Sequence, residues 1–243
     1  MKSSSLSIVL PTYNELKNIK ILIEQIEKEF KKKIKLEIIV DDSSPDGTAN
    51  AARALNKKYK NIRVIVRKNK EGIGAALRDG YNAARNDLIL SSDSDLSFSV
   101  KDMLKLIDKI KQGYDLVIGS RHMEQGYYEK KVLKTRIKGF VSNTGNKVVR
   151  ILTGVPIHDF SANFRVIRRD VWRSIKTKEK TNIILLEMIL KTYYKKYKVA
   201  EVPVAFKDRI YGESKLNLAK EAPKFFMKML LFVINLRILK KDN

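Results

Sequence analysis

The sequence predicts an α/β protein built on a mostly parallel sheet with helices on both faces. Two observations predict it. Short apolar runs of strand length alternate with segments of helical periodicity, without interruption, from Leu6 to Gly119. Several of those runs stop abruptly at a proline, a glycine or a polar residue, as at Pro11, Asp41, Ser91 and Gly119. The length of 243 residues and the hydrophobic fraction of 44% suit one large α/β domain, or one domain with an appendage.

Leu6 to Leu10 reads as the first strand, ended by Pro11. Glu15 to Phe30 reads as a helix, because Leu16, Ile19, Leu22, Ile23, Ile26 and Phe30 recur on one face. Ile34 to Val40 is a second strand. Gly47 to Tyr59 is a helix with Ala51, Ala52 and Leu55 turned inward. Ile62 to Val66 is a third strand, and Gly72 to Arg85 a helix whose small residues allow close packing. Asp87 to Leu90 is a fourth strand. Val100 to Lys111 is a helix with Met103, Leu104, Ile107 and Ile110 on one side, and Tyr114 to Ile118 is a fifth strand.

The pattern then changes. Residues 121–132 are polar and lack periodicity, and read as a loop able to act as a lid. Val132 to Leu152 reads as a basic helix and Phe164 to Ile167 as a strand. Ile183 to Tyr194 reads as an apolar helix carrying Glu187. Val199 to Phe206 alternates like a strand, and Pro203 assigns it to an edge. Leu216 to Leu239 reads as a long terminal helix.

Composition narrows the chemistry. There is no cysteine, which excludes disulfides and thiolate-bound zinc. The net charge is +23, with the basic surplus in the second half, so the surface attracts phosphorylated substrates, anionic lipid or nucleic acid. The basic residues are not interleaved with aromatics in a nucleic-acid-binding module, so no nucleic acid is expected. Met1 to Ser7 is short and polar, with no leader-like apolar core behind it. The longest apolar stretch, Met229 to Leu239, is interrupted by Asn235 and Arg237 and is shorter than a membrane span of about 20 residues.

The residues that carry chemistry follow the strands. In open α/β sheets ligands bind outside the carboxyl ends of the strands. Asp93 and Asp95 lie just past the fourth strand. Two carboxylates so close repel unless a cation or water lies between them, and such ligands suit Mg²⁺ or Mn²⁺. The alternative is an acidic loop that caps the helix starting near Ser99. Glu15 follows the first strand, either as a helix cap or as an acceptor for a ligand hydroxyl. Asp41 and Asp42 precede the Pro45-Asp46-Gly47 turn and can bind a base or ribose. Gly72 and Gly74 either bring amides to a phosphate or permit tight helix packing. Arg121, after the fifth strand, is either an ordinary surface arginine or a bidentate phosphate contact. His122, beside Arg121, reads either as a phosphate contact or as a solvated loop residue.

These stretches resemble a known family. The motifs are Pro11-Thr12-Tyr13-Asn14-Glu15, Val40 through Thr48, Asp93-Ser94-Asp95-Leu96-Ser97 and Gly119-Ser120-Arg121. Further motifs run from Asp159 to Arg165, Leu186 to Met188, Glu201 to Val204 and Asp208 to Leu216. Together they resemble the dolichol-phosphate mannose synthase type of inverting family-2 glycosyltransferase, with the A-type, Rossmann-like fold. The resemblance implies a catalytic domain over residues 1–215 and a C-terminal amphipathic helix, 216–243, at the membrane interface. It implies metal-dependent transfer of mannose from GDP-mannose to a polyprenyl or dolichyl phosphate. A glucose or N-acetylglucosamine transferase using a UDP-sugar is the alternative, and a basic nucleic-acid-binding protein is the alternative from a different class.

The resemblance also implies roles. Pro11, Tyr13, Glu15, Val40 and Asp42 would hold the nucleoside. Asp93, Ser94 and Asp95 would form the metal and diphosphate-sugar motif, with Asp95 the direct ligand. Ser97 stands where some relatives carry Gln as a second metal ligand. Arg121, with Asp93 and Asp95, would act in catalysis. Lys138, Ser142, Arg209 and Lys215 would contact the lipid phosphate. Asn163 stands where relatives usually carry Gly. The implied location is the cytoplasmic side of a membrane, held peripherally on an anionic surface.

Overall fold

The computed structural model describes residues 5–128, 133–207 and 226–235. The chain opens with β1 (Ser5–Thr12), α1 (Leu16–Phe30), β2 (Lys35–Asp42), α2 (Thr48–Tyr59), β3 (Ile62–Val66), α3 (Ile73–Ala83) and β4 (Leu88–Ser91). It continues with α4 (Val100–Lys111), β5 (Leu116–Ser120), β6 (Tyr127–Tyr128) and α5 (Leu133–Thr153). Then come β7 (Arg165–Arg168), α6 (Arg169–Ile175), α7 (Ile183–Tyr194), β8 (Val199–Pro203) and β9 (Ala205–Phe206). Residues 226–235 form a further helix, α8. Apart from β6 and α6, which the sequence reading lacks, and the division of Val199–Phe206 into β8 and β9, these elements coincide with the sequence reading to within a few residues.

Seven strands make one sheet in the order β3-β2-β1-β4-β7-β5-β8. β1 is central to the first half and pairs in parallel with β2 and β4. Among the described residues β8 pairs only with β5, so the strand containing Pro203 is the edge that the proline predicts. The element order takes the chain from β4 through α4 to β5. The structure inserts β7 between them, antiparallel to both.

Period-two alternation in the strands sends side chains to two cores. Leu6, Ile8, Leu10, Ile38 and Val40 face α1, α2 and α4. Val9, Ile39, Ile89, Leu116 and Ile118 face the opposite layer, where Leu77 and Tyr81 of α3, Trp172 of α6 and the apolar run of α7 meet them.

α8 joins this second core through Met229 and Val233, one turn apart. Its outer face leaves Phe226, Met227, Leu231 and Ile234 exposed. The remainder of the predicted terminal helix, 216–225 and 236–239, lies outside the described residues. No helix among the described residues is long and apolar enough to cross a membrane.

The stretch read as an irregular loop, 121–132, carries a short strand: β6 pairs in parallel with β9. Two residues are too few for periodicity to reveal.

The glycines ahead of α3 serve packing. The Ala75 amide donates to the Lys180 carbonyl at 3.2 Å. A Cβ on Gly74 would lie 2.4 Å from the Lys180 carbonyl carbon and the Thr181 oxygen. The amide turn that could cradle a phosphate is thus covered by the 178–181 segment. Gly74→Ala is expected to destabilise the protein by about 1–3 kcal/mol, because the clash is with backbone and cannot relax by a rotamer change. Urea unfolding midpoints measure it; an unchanged midpoint would show that the segment moves freely.

Candidate active site

The antiparallel direction of β7 explains the composition of the site. Ser91 and Ile118, at or near the carboxyl ends of their strands, both register with Arg165, the first residue of β7. The segment 158–164 therefore arrives at the same edge as the loops after β1, β2, β4 and β5.

The loop after β4 is fixed on three sides. The Ser94 hydroxyl donates to the Pro11 carbonyl at 3.0 Å, tying it to β1. The Asn163 amide donates to Asp93 Oδ1 at 3.1 Å, tying it to the segment before β7. The Lys207 amide donates to the Ser97 carbonyl at 2.9 Å, and Phe98 packs on Phe164 and Phe206. Within the loop, Asp95 Oδ1 accepts the Ser97 amide at 3.1 Å. Leu96 between them has φ +63°, a left-handed conformation costing roughly 1–2 kcal/mol for a side chain of this kind. Such strain persists only where surroundings dictate it. The two acids do not cap α4: Ser99 does, accepting the Lys101 amide. Asn163 departs from the usual glycine with no backbone penalty, since it is absent from the positive-φ residues, and its side chain supplies the donor on Asp93.

Arg121 is clasped by Asp159. Nε donates to Oδ2 at 2.7 Å and Nη2 to Oδ1 at 2.9 Å, the two-point geometry of a guanidinium on a carboxylate. Arg121 Nη2 also reaches the Ser161 hydroxyl at 2.8 Å. Asp159 is fully buried. Burial alone would raise its carboxyl pKa, but the Arg121 charge and the donated hydrogen bonds hold it well below the usual carboxylate range. Glu201 on β8 fixes the segment in turn: it accepts the Asp159 amide at 2.9 Å and the His158 amide and Nδ1, each at 2.8 Å. The Arg121 guanidinium lies 5.5 Å from the Phe206 ring centre, next to the β4 loop.

At the other end, Asp42 Oδ1 accepts the Thr12 hydroxyl at 2.8 Å and the Ser44 hydroxyl. Its second oxygen is buried without a hydrogen-bond partner among the described residues. Asp41 Oδ1 pairs with Arg67 Nε at 2.6 Å. Burial outweighs that pairing and pushes the Asp41 carboxyl up to about 7. Glu15 occupies the position before α1, yet its carboxylate accepts the Asn18 side chain at 2.6 Å and caps no amide. Asp46 does the capping: it accepts the Leu16 amide at 3.2 Å and the Thr48 amide at 3.0 Å, so one carboxylate serves α1 and α2. Lys70 Nζ stands 3.7 Å from the Tyr13 ring centre.

Comparison with known proteins now decides the family. The model of glycosyl transferase family 2 matches residues 7–175. The chain belongs to this family. The dolichol-phosphate mannosyltransferase of Pyrococcus furiosus is 33% identical over 217 residues, 87% of this chain. The chain spans only 59% of that relative's length. The polyprenol monophosphomannose synthase of Mycolicibacterium smegmatis is 30% identical over 86% of this chain and 80% of its own. Among solved structures, glucosyl-3-phosphoglycerate synthase from Mycobacterium tuberculosis, in complex with Mn²⁺, UDP and phosphoglyceric acid, has a TM-score of 0.71. It shares 20% identity and covers 95% of this chain and 78% of its own. The same enzyme with Mg²⁺ and UDP also has a TM-score of 0.71, at 18% identity. These likenesses establish the A-type glycosyltransferase fold.

The family-2 chain brings together Pro11, Tyr13, Glu15, Asp42, Asp93, Ser94, Asp95, Ser97 and Arg121 on one edge. It does not bring Val40 there: that side chain is fully buried in the first core. Ser142 reaches the edge from α5. Lys138 lies one turn before it on α5, while Arg209 and Lys215 fall outside the described residues.

The oxygen donors at Asp93, Asp95 and Ser97 fit Mg²⁺ or Mn²⁺ chemically. The Ser97 hydroxyl is buried and has no hydrogen-bond partner among the described residues, which suits a polar ligand atom. No cluster of three His, Cys, Asp or Glu ligands occurs among the described residues. A hexacoordinate ion here would complete its shell with substrate phosphates and water.

Asp159, Ser161, Asn163 and Glu201 received no individual role from the sequence. Their only signal was membership of the Asp159–Arg165 and Glu201–Val204 motifs.

Asp41 gives a pH prediction. A carboxyl raised in the folded state contributes stability that is fully present below its unfolded pKa, about 4, and is lost as pH rises through the folded value of about 7. Asp41→Asn is expected to flatten the loss of stability between pH 4 and pH 7, read from denaturation midpoints. An identical slope in the variant would refute the assignment.

Proposed function

We propose that this chain transfers mannose from GDP-mannose to a polyprenyl phosphate, with inversion at the sugar carbon. The observation that carries the reading is the fixed arginine, Arg121 on Asp159, set beside the acidic loop Asp93–Ser97 on the nucleotide edge of the sheet. The names of the two relatives at 30% identity or more support mannose and a polyprenyl acceptor.

In this reading the bond between the sugar carbon and the donor diphosphate breaks, and an oxygen of the lipid phosphate bonds that carbon from the opposite face. A phosphate monoester has a second pKa near 6 and is mostly a dianion at neutral pH. The nucleophile then needs no strong general base. Asp159 holds the guanidinium plane of Arg121 so that its charge is in place before the diphosphate develops more negative charge. Asp42 and Tyr13 receive the nucleoside, and Asp93 the sugar or ribose. A divalent cation, when bound by Asp95 with Ser97 near it, supplies further charge neutralisation to the leaving diphosphate.

The reading also assigns the exposed apolar face of α8, with Lys228 on the same helix, to a membrane interface where a lipid substrate is met. Truncating α8 would remove Met229 and Val233 from the core, so a surface change is the cleaner test. Met227→Asp combined with Leu231→Asp is expected to abolish flotation with anionic liposomes while leaving thermal unfolding unchanged. Equal flotation would remove α8 from the interface.

The reaction is tested by offering radiolabelled GDP-mannose, UDP-glucose and UDP-N-acetylglucosamine with a short polyprenyl phosphate. Mannosyl transfer from GDP-mannose is expected, dependent on Mg²⁺ or Mn²⁺. Asp95→Ala is expected to lower turnover by at least about a hundredfold with the fold retained. Transfer from a UDP-sugar alone overturns the donor, and near-normal turnover of Asp95→Ala overturns the role of the acidic loop.

A further inference from the structure

We propose that His122 is a binding residue for the phosphate monoester of the acceptor, donating to it together with the Ser142 hydroxyl. The inference rests on the reading that the acceptor is a phosphate ester, and adds to it a residue outside the family motifs quoted above.

His122 follows Arg121 directly at the end of β5 and is half-buried. Its Nε2 lies 3.2 Å from Ser142 Oγ on α5. Ser142 Oγ lies 3.4 Å from Ser161 Oγ, which in turn accepts Arg121 Nη2 at 2.8 Å. An imidazole, two hydroxyls and a guanidinium thus form one polar chain along the carboxyl edge. The residue is not a solvated loop histidine, because its ring is held against a helix.

Charge gives this chain a direction. Asp159 neutralises Arg121 through two contacts. At the α5 end the chain reaches His122, which carries a positive charge when protonated; Lys138 stands one turn before Ser142 in the sequence of α5. A phosphate monoester offers three strong acceptor oxygens at tetrahedral angles. N–H and O–H donors on two different elements can reach two of them at once, and donors to an ionised acceptor are worth about twice neutral ones. A neutral alcohol would use neither the number of donors nor the charge. The bond from His122 to Ser142 also has a structural interpretation, a tie between α5 and the sheet, and the experiment separates the two.

The chain contains only two histidines, His122 and His158. Their imidazole Cε1-bound protons therefore give two resolvable NMR signals in the full-length protein, and His122→Asn identifies which is which. Titration with farnesyl phosphate is expected to move the His122 signal and leave the His158 signal in place, with farnesol producing no such shift. Inorganic phosphate is expected to move the same signal at higher concentration, which distinguishes a lipid-borne phosphate from a free one. In transfer assays His122→Asn is expected to raise KM for the polyprenyl phosphate about tenfold, with KM for the nucleotide sugar unchanged. His122→Gln, which keeps an N–H donor, is expected to recover part of that loss; a purely structural tie would raise no acceptor-specific KM.

A His122 signal unmoved at saturating farnesyl phosphate overturns the inference, as does an equal shift with farnesol or an unchanged acceptor KM in His122→Asn. The two readings fail separately. Absence of transfer to any polyprenyl phosphate refutes the proposed reaction, while the response of the His122 signal to phosphate still decides whether a phosphate monoester binds here.

Discussion

Asp159 has no exposed surface, and a carboxylate taken out of water is tolerated only when its lone pairs meet matched donors. Arg121 provides two of those donors from the end of β5, and the Ser161 and Ala162 amides provide others. The pair does more than neutralise itself. It fixes where the β5 end stands relative to the segment that enters β7. Asn163, four residues along that segment, then reaches Asp93, so the position of the acidic loop follows from the same ion pair. Glu201 extends the constraint to the edge strand by accepting two backbone amides of residues 158 and 159. Three sheet elements and the site loop are thereby held in one register.

That arrangement depends on strand direction. A parallel β7 would start at the opposite edge of the sheet, and its leading segment would be too far away to touch Arg121 or Asp93. Arg165 marks the price of the reversal: its guanidinium is fully buried and donates to the Ala162 and Leu185 carbonyls. Burial pushes its pKa down to about 10, and Asp159 and Tyr81 act against that shift. Carbonyls and neighbouring groups thus stand in for water around a cation in the core.

The two ends of the site differ in character. The end at β1 and β2 is built on Asp42 bonded by Thr12 and Ser44 and on helix starts that share the Asp46 carboxylate. The end at β5 is built from contacts with a helix, in which α5 reaches the sheet through Ser142 and His122. An apolar face of α8 lies on the same second layer as α5.

Several features were legible in the sequence because they depend on local physics. Alternating periodicities fixed the order and type of the elements through β5, and Pro203 assigned β8 to an edge, since a missing N–H acts wherever the strand pairs. The positions of Asp93, Asp95, Arg121 and Asp42 after strands placed them on one edge of a parallel sheet. Other features depend on which distant residues meet. A four-residue strand such as β7 carries no signal of its direction. Gly74 looks alike whether an amide cradle faces a phosphate or the Lys180 carbonyl. Glu15 looked like a cap for α1, and only the approach of α1 to the β2 loop gave that role to Asp46. His122 read as either a phosphate contact or a solvated loop residue, and only the packing of α5 against it removed the second. Sequence spacing determined where each functional group leaves the sheet; tertiary structure alone decided which groups meet, because burial and hydrogen-bond pairing are set by contacts between residues far apart in the chain.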